Sequence, residues 1–491
     1  MEKFDVAVIG AGPAGYAAAM RALDFKKKVC LIERNNIGGA GVTNGALSSK
    51  TWWELSRKAI YFRNAAAFLK IEYPKAPFKE LSDVVHNTIQ QKIDLLKEQI
   101  DEINNSEYAG LLQFKKGNAC LISNNEIEIS NGEKTEIIFA ENIVLATGSR
   151  PRYLPELPID EKIVMTSDSI ESMEAFPESM VIVGAGVIGC EFATIFSNFD
   201  VTKINLIDKG DRILPFEDED VVKIIEHNLE ERGVLIHHNS KLVDMKIVDG
   251  RVAYELKYTD GHREKFNVEK ALVSVGRVPN IEGLWNENVN IKISKRGIES
   301  NETQTNIPNI YAVGDITADT ALVNVAEEEG RFAIEKMYSV PKHKLMYKNI
   351  STIMFLNPEV SGVGINETQA WEMSLDYKVV TLDYSTISRA IAKRSTQGFI
   401  KMLVTNDDEM KILGMKIIGI QSSSTIQAVA ILIAMNKGVE ELAECMHPHP
   451  SITEGVQECV RMLLGTSILK PALLKHRMTC RKFVNGKYEP F

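Results

Sequence analysis

A short apolar strand, a glycine-rich turn, a helix, a second strand and an acid follow one another in the same order at two places in this chain. The first copy begins at residue 5 and ends at Glu33, and the second begins at residue 181 and ends at Asp208. The glycines of the two turns are Gly10, Gly12 and Gly15 in the first copy and Gly184, Gly186 and Gly189 in the second. Such glycines let the backbone approach a pyrophosphate at the helix N-terminus. The sequence therefore predicts two dinucleotide-binding domains of one α/β architecture.

The acid that ends each copy indicates how a nucleotide ribose is held. Glu33 lies 23 residues after Gly10, and Asp208 lies 24 residues after Gly184, where a carboxylate accepts hydrogen bonds from both ribose hydroxyls. A carboxylate also repels a 2′-phosphate, so we expect the second copy to prefer NAD(H) to NADP(H). The basic residues that follow at positions 209 and 212 soften this preference.

Length, charge and cysteine content narrow the class of protein. The 491 residues are enough for about three domains. The net charge of −9 argues against a nucleic-acid-binding protein, whose affinity comes from clustered Lys and Arg. The sequence shows neither a basic and apolar leader nor an apolar run of about 18 residues, so we expect a cytoplasmic protein without membrane insertion. The six cysteines form no C-x-x-C pair, which is typical of reduced intracellular thiols.

Local patterns predict some individual elements. An Ala-rich helix is expected from residue 16 to about 25, and a charged, solvated helix from about 81 to 107. The acid run at residues 217–220 is expected to open a helix, where negative charge complements the helix dipole, and not to bind a metal. His447 and His449 lack further ligands at metal-binding spacing, so we expect no metal site.

Four further motifs lie outside the two glycine turns. They are A-T-G-S-R-P at 146–151, G-R-V-P-N at 276–280, A-V-G-D at 312–315 and H-P-H-P-S-I-T-E at 447–454. These motifs resemble those of the flavoprotein pyridine-nucleotide disulfide oxidoreductases, most closely the dihydrolipoamide dehydrogenases. The resemblance covers residues 1 to about 470, and it implies FAD and NAD(H) as cofactors and a homodimer as the assembly.

The resemblance also implies the domain organisation. The expected fold is α/β, with two Rossmann-like dinucleotide-binding domains and an α+β C-terminal dimerisation domain. The FAD-binding domain would comprise residues 1–150 and 281–347, the NAD(H)-binding domain residues 151–280, and the dimerisation domain residues 348–470. The resemblance does not place the tail at residues 471–491.

Further cofactor-binding residues follow from the same resemblance. They are Gly38, Thr147, Gly148, Gly276 and Asp315. In the family, the aspartate of the A-x-G-D motif hydrogen-bonds the ribityl chain of FAD, and this role passes to Asp315.

The segment at residues 38–50 departs from the family at two positions. The family pattern is G-G-T-C-L-N-V-G-C-I-P-S-K, and its two cysteines form a redox disulfide beside the flavin. Laid on that pattern without gaps, the cysteine positions are Gly41 and Ala46. Neither residue can carry a thiolate, so thiol–disulfide exchange is not expected at this site.

Two pairs of residues implied to lie near the flavin remain. Lys50 matches the family lysine beside flavin N5, and Glu191 matches the ion-pair partner of that lysine. A cation near N5 stabilises the electron-rich reduced ring. His449 and Glu454 match the acid–base pair that reaches the flavin from the partner subunit. A structural role is the alternative for both pairs, and for the second pair the two roles are weighed equally.

The sequence thus predicts a flavoenzyme without the redox disulfide that accepts electrons from the flavin in the family. We expect an FAD-dependent NAD(P)H oxidoreductase that passes electrons from NADH through FAD directly to a small-molecule acceptor, with a quinone fitting best. A soluble pyridine nucleotide transhydrogenase and a non-catalytic flavin-binding assembly component or sensor are the alternatives. Dihydrolipoamide dehydrogenase activity itself is not expected, and Cys445 and Cys480 are weak candidates for a relocated thiol.

Overall fold

The computed structural model describes residues 1–74, 76–132, 134–317 and 320–491. The chain divides into two compact units. The first unit comprises Met1–Gly184, Asn198–Lys203 and Lys241–Leu345, and the second comprises Ala185–Ser197, Ile204–Ser240 and Met346–Phe491.

The elements are numbered in chain order. The strands are β1 (Glu2–Ile9), β2 (Val29–Glu33), β3 (Leu112–Lys116), β4 (Asn118–Leu121), β5 (Glu126–Ser130), β6 (Thr135–Leu145), β7 (Ser149–Pro151), β8 (Val164–Thr166), β9 (Ser179–Val183), β10 (Lys203–Ile207), β11 (Leu235–His237), β12 (Ser240–Val248), β13 (Arg251–Tyr258), β14 (Arg263–Val268), β15 (Lys270–Val273), β16 (Arg277–Pro279), β17 (Ile310–Ala312), β18 (Thr352–Met354), β19 (Val360–Gly364), β20 (Tyr377–Asp383), β21 (Phe399–Thr405), β22 (Ile412–Ile418), β23 (Met478–Val484) and β24 (Lys487–Pro490). The helices are α1 (Pro13–Asp24), α2 (Gly39–Val42), α3 (Ala46–Leu69), α4 (Phe78–Ile103), α5 (Val187–Phe199), α6 (Glu219–Glu231), α7 (Val323–Tyr338), α8 (Glu367–Glu372), α9 (Ser388–Ala392), α10 (Ser422–Thr425), α11 (Gln427–Ala434), α12 (Glu440–Ala443) and α13 (Thr453–Leu463).

The first unit is built on a sheet in the order β3-β2-β1-β6-β5-β4, with β17 paired to β6. Strand β1 runs parallel to both β2 and β6, and its residues Val6, Ala7 and Val8 are fully buried. Continuous apolar residues suit a parallel strand that is covered on both faces. The first glycine turn follows β1 directly and leads into α1, so the predicted strand–turn–helix unit is present.

The two predicted helices of this unit are present with shifted ends. The Ala-rich helix begins at Pro13 and not at residue 16, because proline fits the first helical turn. The charged helix spans Phe78–Ile103, and its apolar residues, such as Val85, Ile89 and Ile93, form a buried stripe. Its opposite face is charged, as an amphipathic surface helix requires.

Three smaller groups of paired strands lie in the first unit. Strands β8 and β9 both pair in parallel with β15, and β13 pairs with β14 in an antiparallel ladder. Strands β7 and β16 form a short antiparallel pair. This pair joins the A-T-G-S-R-P motif to the G-R-V-P-N motif.

The second unit contains a seven-stranded antiparallel sheet in the order β18-β19-β22-β21-β20-β23-β24. Helix α13 packs on this sheet, with Val456, Cys459 and Val460 in the core. The tail that the resemblance left unplaced forms β23 and β24 at the edge of the sheet. The predicted domain boundaries stay predictions. No helix among the described residues is long and apolar enough to cross a membrane.

Candidate functional site

The two glycine turns have the same geometry. Gly10 and Gly184 both have φ of +104°, a conformation that side chains rarely adopt. A Cβ on Gly184 would lie 2.6 Å from the carbonyl oxygen of Ser274, and a Cβ on Gly10 would collide with the carbonyl oxygen of Ala146. No atom of the described residues lies within 4 Å of the Cβ position of Gly186, so this side of the second turn is open among them.

The acid of each copy is hydrogen-bonded to its own glycine turn. Glu33 accepts from the Ala11 amide at 2.8 Å, and Asp208 accepts from the Ala185 amide at 3.1 Å. The second oxygen of Asp208 accepts from the Gly210 amide at 2.7 Å. Each carboxylate is therefore fixed beside the turn, where it can meet a ribose. This hydrogen bond from the residue after the first glycine is a feature that the sequence pattern did not predict.

A chain of polar contacts leads away from Asp315. Its Oδ2 accepts from Ser149 Oγ at 2.7 Å, and Ser149 Oγ accepts from Arg277 Nε at 2.8 Å. The guanidinium of Arg277 also lies 3.3 Å from Asp168. Desolvation raises the pKa of Asp168, although Arg277 opposes the rise. Sequence reasoning missed Ser149, Arg277 and Asp168, although two of them lie within the motifs quoted above.

The remaining flavin-site candidates, Thr147, Gly148 and Gly276, lie next to the antiparallel pair of β7 and β16. Thr147 Oγ1 donates to the Asn280 carbonyl at 2.6 Å, and the Asn280 amide donates to the Gly148 carbonyl at 2.9 Å. The Gly276 carbonyl accepts from the Arg152 amide at 2.9 Å. These bonds tie the two motifs into one structure.

The 38–50 segment forms α2 and the start of α3. Gly38 precedes α2 with φ of +96°. A Cβ on Gly41 would lie 2.5 Å from Pro13 Cγ and 3.8 Å from Val323 Cγ2. The six cysteines are free thiols, and none of them lies in this segment.

Lys50 and Glu191 lie in different units. Lys50 is half-buried on α3, and its Nζ lies 3.4 Å from Ser49 Oγ. Glu191 lies on α5 and is 5% exposed, and its Oε1 accepts from the Phe355 amide at 2.9 Å. A buried carboxylate of this kind has a fixed position.

His449 and Glu454 form a hydrogen-bonded pair in the second unit. His449 Nδ1 lies 2.7 Å from Glu454 Oε1, and the Ser451 amide donates to Glu454 Oε2 at 2.7 Å. Desolvation raises the pKa of Glu454, but the hydrogen bonds from His449 and Ser451 outweigh it and hold the pKa below its usual value. The side chain of His449 is 68% exposed. Burial lowers the pKa of His447.

The cysteines outside this segment differ in exposure. Cys190 and Cys459 are fully buried, and burial raises the pKa of each thiol. Cys445 is exposed, and Cys480 is half-buried on β23. Among the described residues, no group of three or more His, Cys, Asp or Glu side chains could hold a metal ion.

The acid run at 217–220 is only partly what the sequence predicted. Helix α6 does begin at Glu219. Glu217 and Asp218, however, are buried and contact Lys416 and Lys401. Their main partners are thus lysines of the antiparallel sheet.

Two glycine turns, each with an acid hydrogen-bonded to it, and two motifs joined by the pairing of β7 with β16 are typical of oxidoreductases that bind two dinucleotides. The chain belongs to the pyridine nucleotide-disulphide oxidoreductase family, whose model matches residues 4–330, and whose dimerisation domain matches residues 350–460. The members of this family use FAD and NAD(H). The predicted family, the α/β fold with a C-terminal dimerisation domain and the oxidoreductase class are confirmed.

Relatives similar in sequence agree with the family assignment, and solved structures share the fold. A dihydrolipoyl dehydrogenase of Bacillus subtilis is 30% identical over 478 residues, covering 95% of this chain and 99% of the relative. A dihydrolipoyl dehydrogenase of Geobacillus stearothermophilus is 30% identical and covers 94% of this chain and 96% of the relative. The crystal structure of LpdA from Mycobacterium tuberculosis has a TM-score of 0.85 at 24% identity, covering 94% of this chain and 100% of that chain. The HOCl-induced flavoprotein disulfide reductase RclA from Escherichia coli has a TM-score of 0.82 at 23% identity, with the same coverage.

Proposed function

We propose that this protein oxidises NADH through FAD and passes the electrons directly from the flavin to an acceptor that is not a disulfide. The observation that carries the proposal is the identity of Gly41 and Ala46 at the positions where the family pattern has its two cysteines. A chain without thiols there has no disulfide to reduce beside the flavin.

The residues of the first glycine turn fit FAD. The turn excludes side chains at Gly10, as a backbone that approaches a pyrophosphate must, and Glu33 is placed at the turn by Ala11. Asp315, held by Ser149, would accept a hydrogen bond from the ribityl chain. When bound, FAD supplies a ring that takes up two electrons and releases them to an acceptor.

The second glycine turn fits a nicotinamide dinucleotide. The space at Gly186 is open, and Asp208 lies beside the turn with both oxygens fixed by amides. We propose NADH as the donor, because a fixed carboxylate would repel the 2′-phosphate of NADPH.

Lys50 would provide positive charge near the flavin. A cation at that position stabilises the reduced ring, and its effect is larger where water is excluded. Glu191 has a backbone amide partner and a fixed position, which suits the carboxylate that accompanies such a lysine. The retention of both residues, despite the changed cysteine positions, favours a working reaction with NADH.

His449 and Glu454 would handle the proton of the acceptor. Glu454 occupies Nδ1 of His449, so Nε2 is the ring nitrogen that can hold or release a proton. A quinone needs such a proton when its oxygen is reduced, and it needs no thiol relay. A quinone is therefore the acceptor that this set of residues fits best. In a homodimer, this pair would serve the flavin of the partner subunit.

An anaerobic titration of the purified protein with NADH, followed by absorbance, tests the proposal. We expect the flavin to bleach with about one NADH per FAD and without a long-wavelength thiolate-to-flavin band. Quinones should then reoxidise the flavin, and lipoamide should not. Lipoamide reduction at rates similar to those with quinones would contradict the proposal.

Two rival functions predict other outcomes, one in an assay with added NADP⁺ and one in the titration itself. Steady formation of NADPH from NADH and NADP⁺ would favour a transhydrogenase. Flavin that stays oxidised under excess NADH would favour a non-catalytic component.

His449→Gln separates the catalytic role of the histidine from a structural one. We expect quinone turnover to fall by about 10² to 10⁴, because a general acid is lost. Flavin reduction by NADH should stay unchanged, and an unchanged pH profile of quinone turnover would assign the pair a structural role.

A further inference from the structure

A buried lysine lies at the centre of the second unit. Lys401 on β21 is 1% exposed, and its Nζ lies 3.1 Å from Asp218, 2.5 Å from Asp220 and 2.7 Å from Glu367. Desolvation opposes the charged form of Lys401, but the three carboxylates outweigh it and raise its pKa. A buried charge of this kind is stable only when its partners are held in place.

The segment before α6, residues 213–218, is held in place by further polar contacts. Lys416 Nζ lies 2.6 Å from Glu217 Oε1, and Asn366 Nδ2 donates to the Phe216 carbonyl at 3.0 Å. Asp218 Oδ1 accepts from both the amide and the hydroxyl of Thr368, each at 3.1 Å. Successive residues of the segment are therefore fixed to the antiparallel sheet and to the start of α8.

This segment contacts the second glycine turn. It follows Asp208 in the chain, and its Leu214 amide donates to the Ala185 carbonyl at 3.0 Å. The amide of the same Ala185 donates to Asp208. Displacement of the segment would thus shift both the turn at Ala185 and the carboxylate of Asp208.

The C-terminal hairpin of β23 and β24 contacts Glu367, one of the three carboxylates around Lys401. Tyr488 Oη donates to Glu367 Oε1 at 3.0 Å, while Lys401 lies at the other oxygen, Oε2. The Arg481 guanidinium lies 3.5 Å from Glu367. The hydroxyl groups of Tyr377 and Tyr488 lie 3.0 Å apart, and the rings of Tyr377 and Phe483 stack at 5.3 Å. Glu367 is thus shared between the hairpin and the lysine.

We propose that the C-terminal hairpin, residues 478–490, is a positioning element for the nicotinamide dinucleotide site. The hairpin fixes Glu367, and Glu367 and Lys401 together fix Asp218. The segment at residues 213–218 then fixes the turn around Ala185. The hairpin therefore sets the affinity of the second glycine turn for NADH without contacting the reacting atoms. This inference rests on the proposed function only in taking NADH as the ligand.

The test uses the FAD-loaded full chain and two hairpin variants. Tyr488→Phe removes the hydroxyl that contacts Glu367, and a stop after Gly486 removes β24. Because coupling through such contacts is of modest size, we expect the Kd for NADH, measured by calorimetry, to rise between about twofold and thirtyfold. The KM for NADH should also rise, while kcat and the FAD content stay unchanged.

A matched control is Tyr258→Phe. Its hydroxyl also donates to a carboxylate, Glu264, at 3.2 Å, but on the exposed surface of the β13–β14 ladder. This variant should bind NADH as the wild type does. If the shortened chain fails to fold, Tyr488→Phe decides the question.

The result that overturns the inference is a Kd for NADH in Tyr488→Phe equal to that of the wild type. Failure of the proposed function is a separate outcome. If NADH binds the wild type without bleaching the flavin, only the proposed chemistry fails, and the Kd values still test the hairpin. If NADH does not bind the wild type at all, both proposals fail.

Discussion

Replacement of Lys401 by methionine is expected to destabilise the second unit strongly. The change keeps the length of the side chain but removes the charge from among three carboxylates. Breaking a buried ion pair by removing one partner costs about 3 to 5 kcal/mol. We expect the lower part of this range, because the side chain of Asp220 is 42% exposed and can turn to water, and Asp218 keeps two hydrogen bonds from Thr368.

The assay is thermal unfolding at one fixed scan rate. For a unit of about 200 residues, each kcal/mol shifts Tm by about 2 to 4 °C, so Tm should fall on the order of 10 °C at pH 7.5. The control is Lys411→Met, which breaks the exposed pair of Lys411 and Glu409 and should leave Tm unchanged. A fall in Tm no larger than that of the control would refute the reasoning.

The pH dependence gives the same prediction a second test. In the wild type, desolvation raises the pKa of Asp218, but Lys401 and the Thr368 amide outweigh it and lower the pKa. The stabilisation is therefore present above the unfolded pKa and is lost as pH falls through the lowered folded pKa. Without the lysine, desolvation raises the pKa of Asp218, so protonation of this carboxylate removes part of the free-energy cost of its uncompensated charge in the variant. The difference in Tm should narrow from pH 7.5 to pH 5, and a gap that widens would contradict the mechanism.

The α2 segment, the cysteines and the nucleotide-site acid each offer a further test. Gly41→Ala should lower Tm in calorimetry. Overpacking against Pro13 destabilises the fold by about 1 to 3 kcal/mol, whereas the higher helix propensity of alanine stabilises it by only roughly 1 kcal/mol. A raised Tm would contradict this. Replacing Cys445 and Cys480 by serine should leave flavin bleaching by NADH unchanged, and its loss would reveal a relocated thiol. Asp208→Ala should raise the KM for NADH and reduce the preference over NADPH, as steady-state kinetics with both nucleotides would show.

The sequence predicted the parts of the molecule that local patterns encode. The glycine turns were predictable because strand, glycines, helix and acid lie within about 30 residues of one another, as the fingerprint requires. The pair of His449 and Glu454 was implied by the resemblance of residues 447–454 to the family motif, and the two side chains do lie 2.7 Å apart. Matching motifs also carried the family assignment.

The parts that could not be predicted depend on contacts between distant residues. Lys401, Asp218 and Glu367 each have the appearance of an exposed charge in the sequence, and only the fold brings them together. The acid run was assigned to a helix dipole because its lysine partners lie almost 200 residues later. The hairpin was missed because strand pairing at a sheet edge depends on the register of a distant strand, β20.

The contact between Gly41 and Pro13 has an evolutionary consequence. Pro13 belongs to the first glycine turn, which would hold the flavin phosphates. A side chain at position 41 would therefore collide with that turn. A descendant of this protein that gained a cysteine at position 41 would first lose stability, because the new Cβ would lie 2.5 Å from Pro13 Cγ. A side chain at position 41 would thus carry a cost in stability, and that cost is set by the packing of α2 against the first glycine turn.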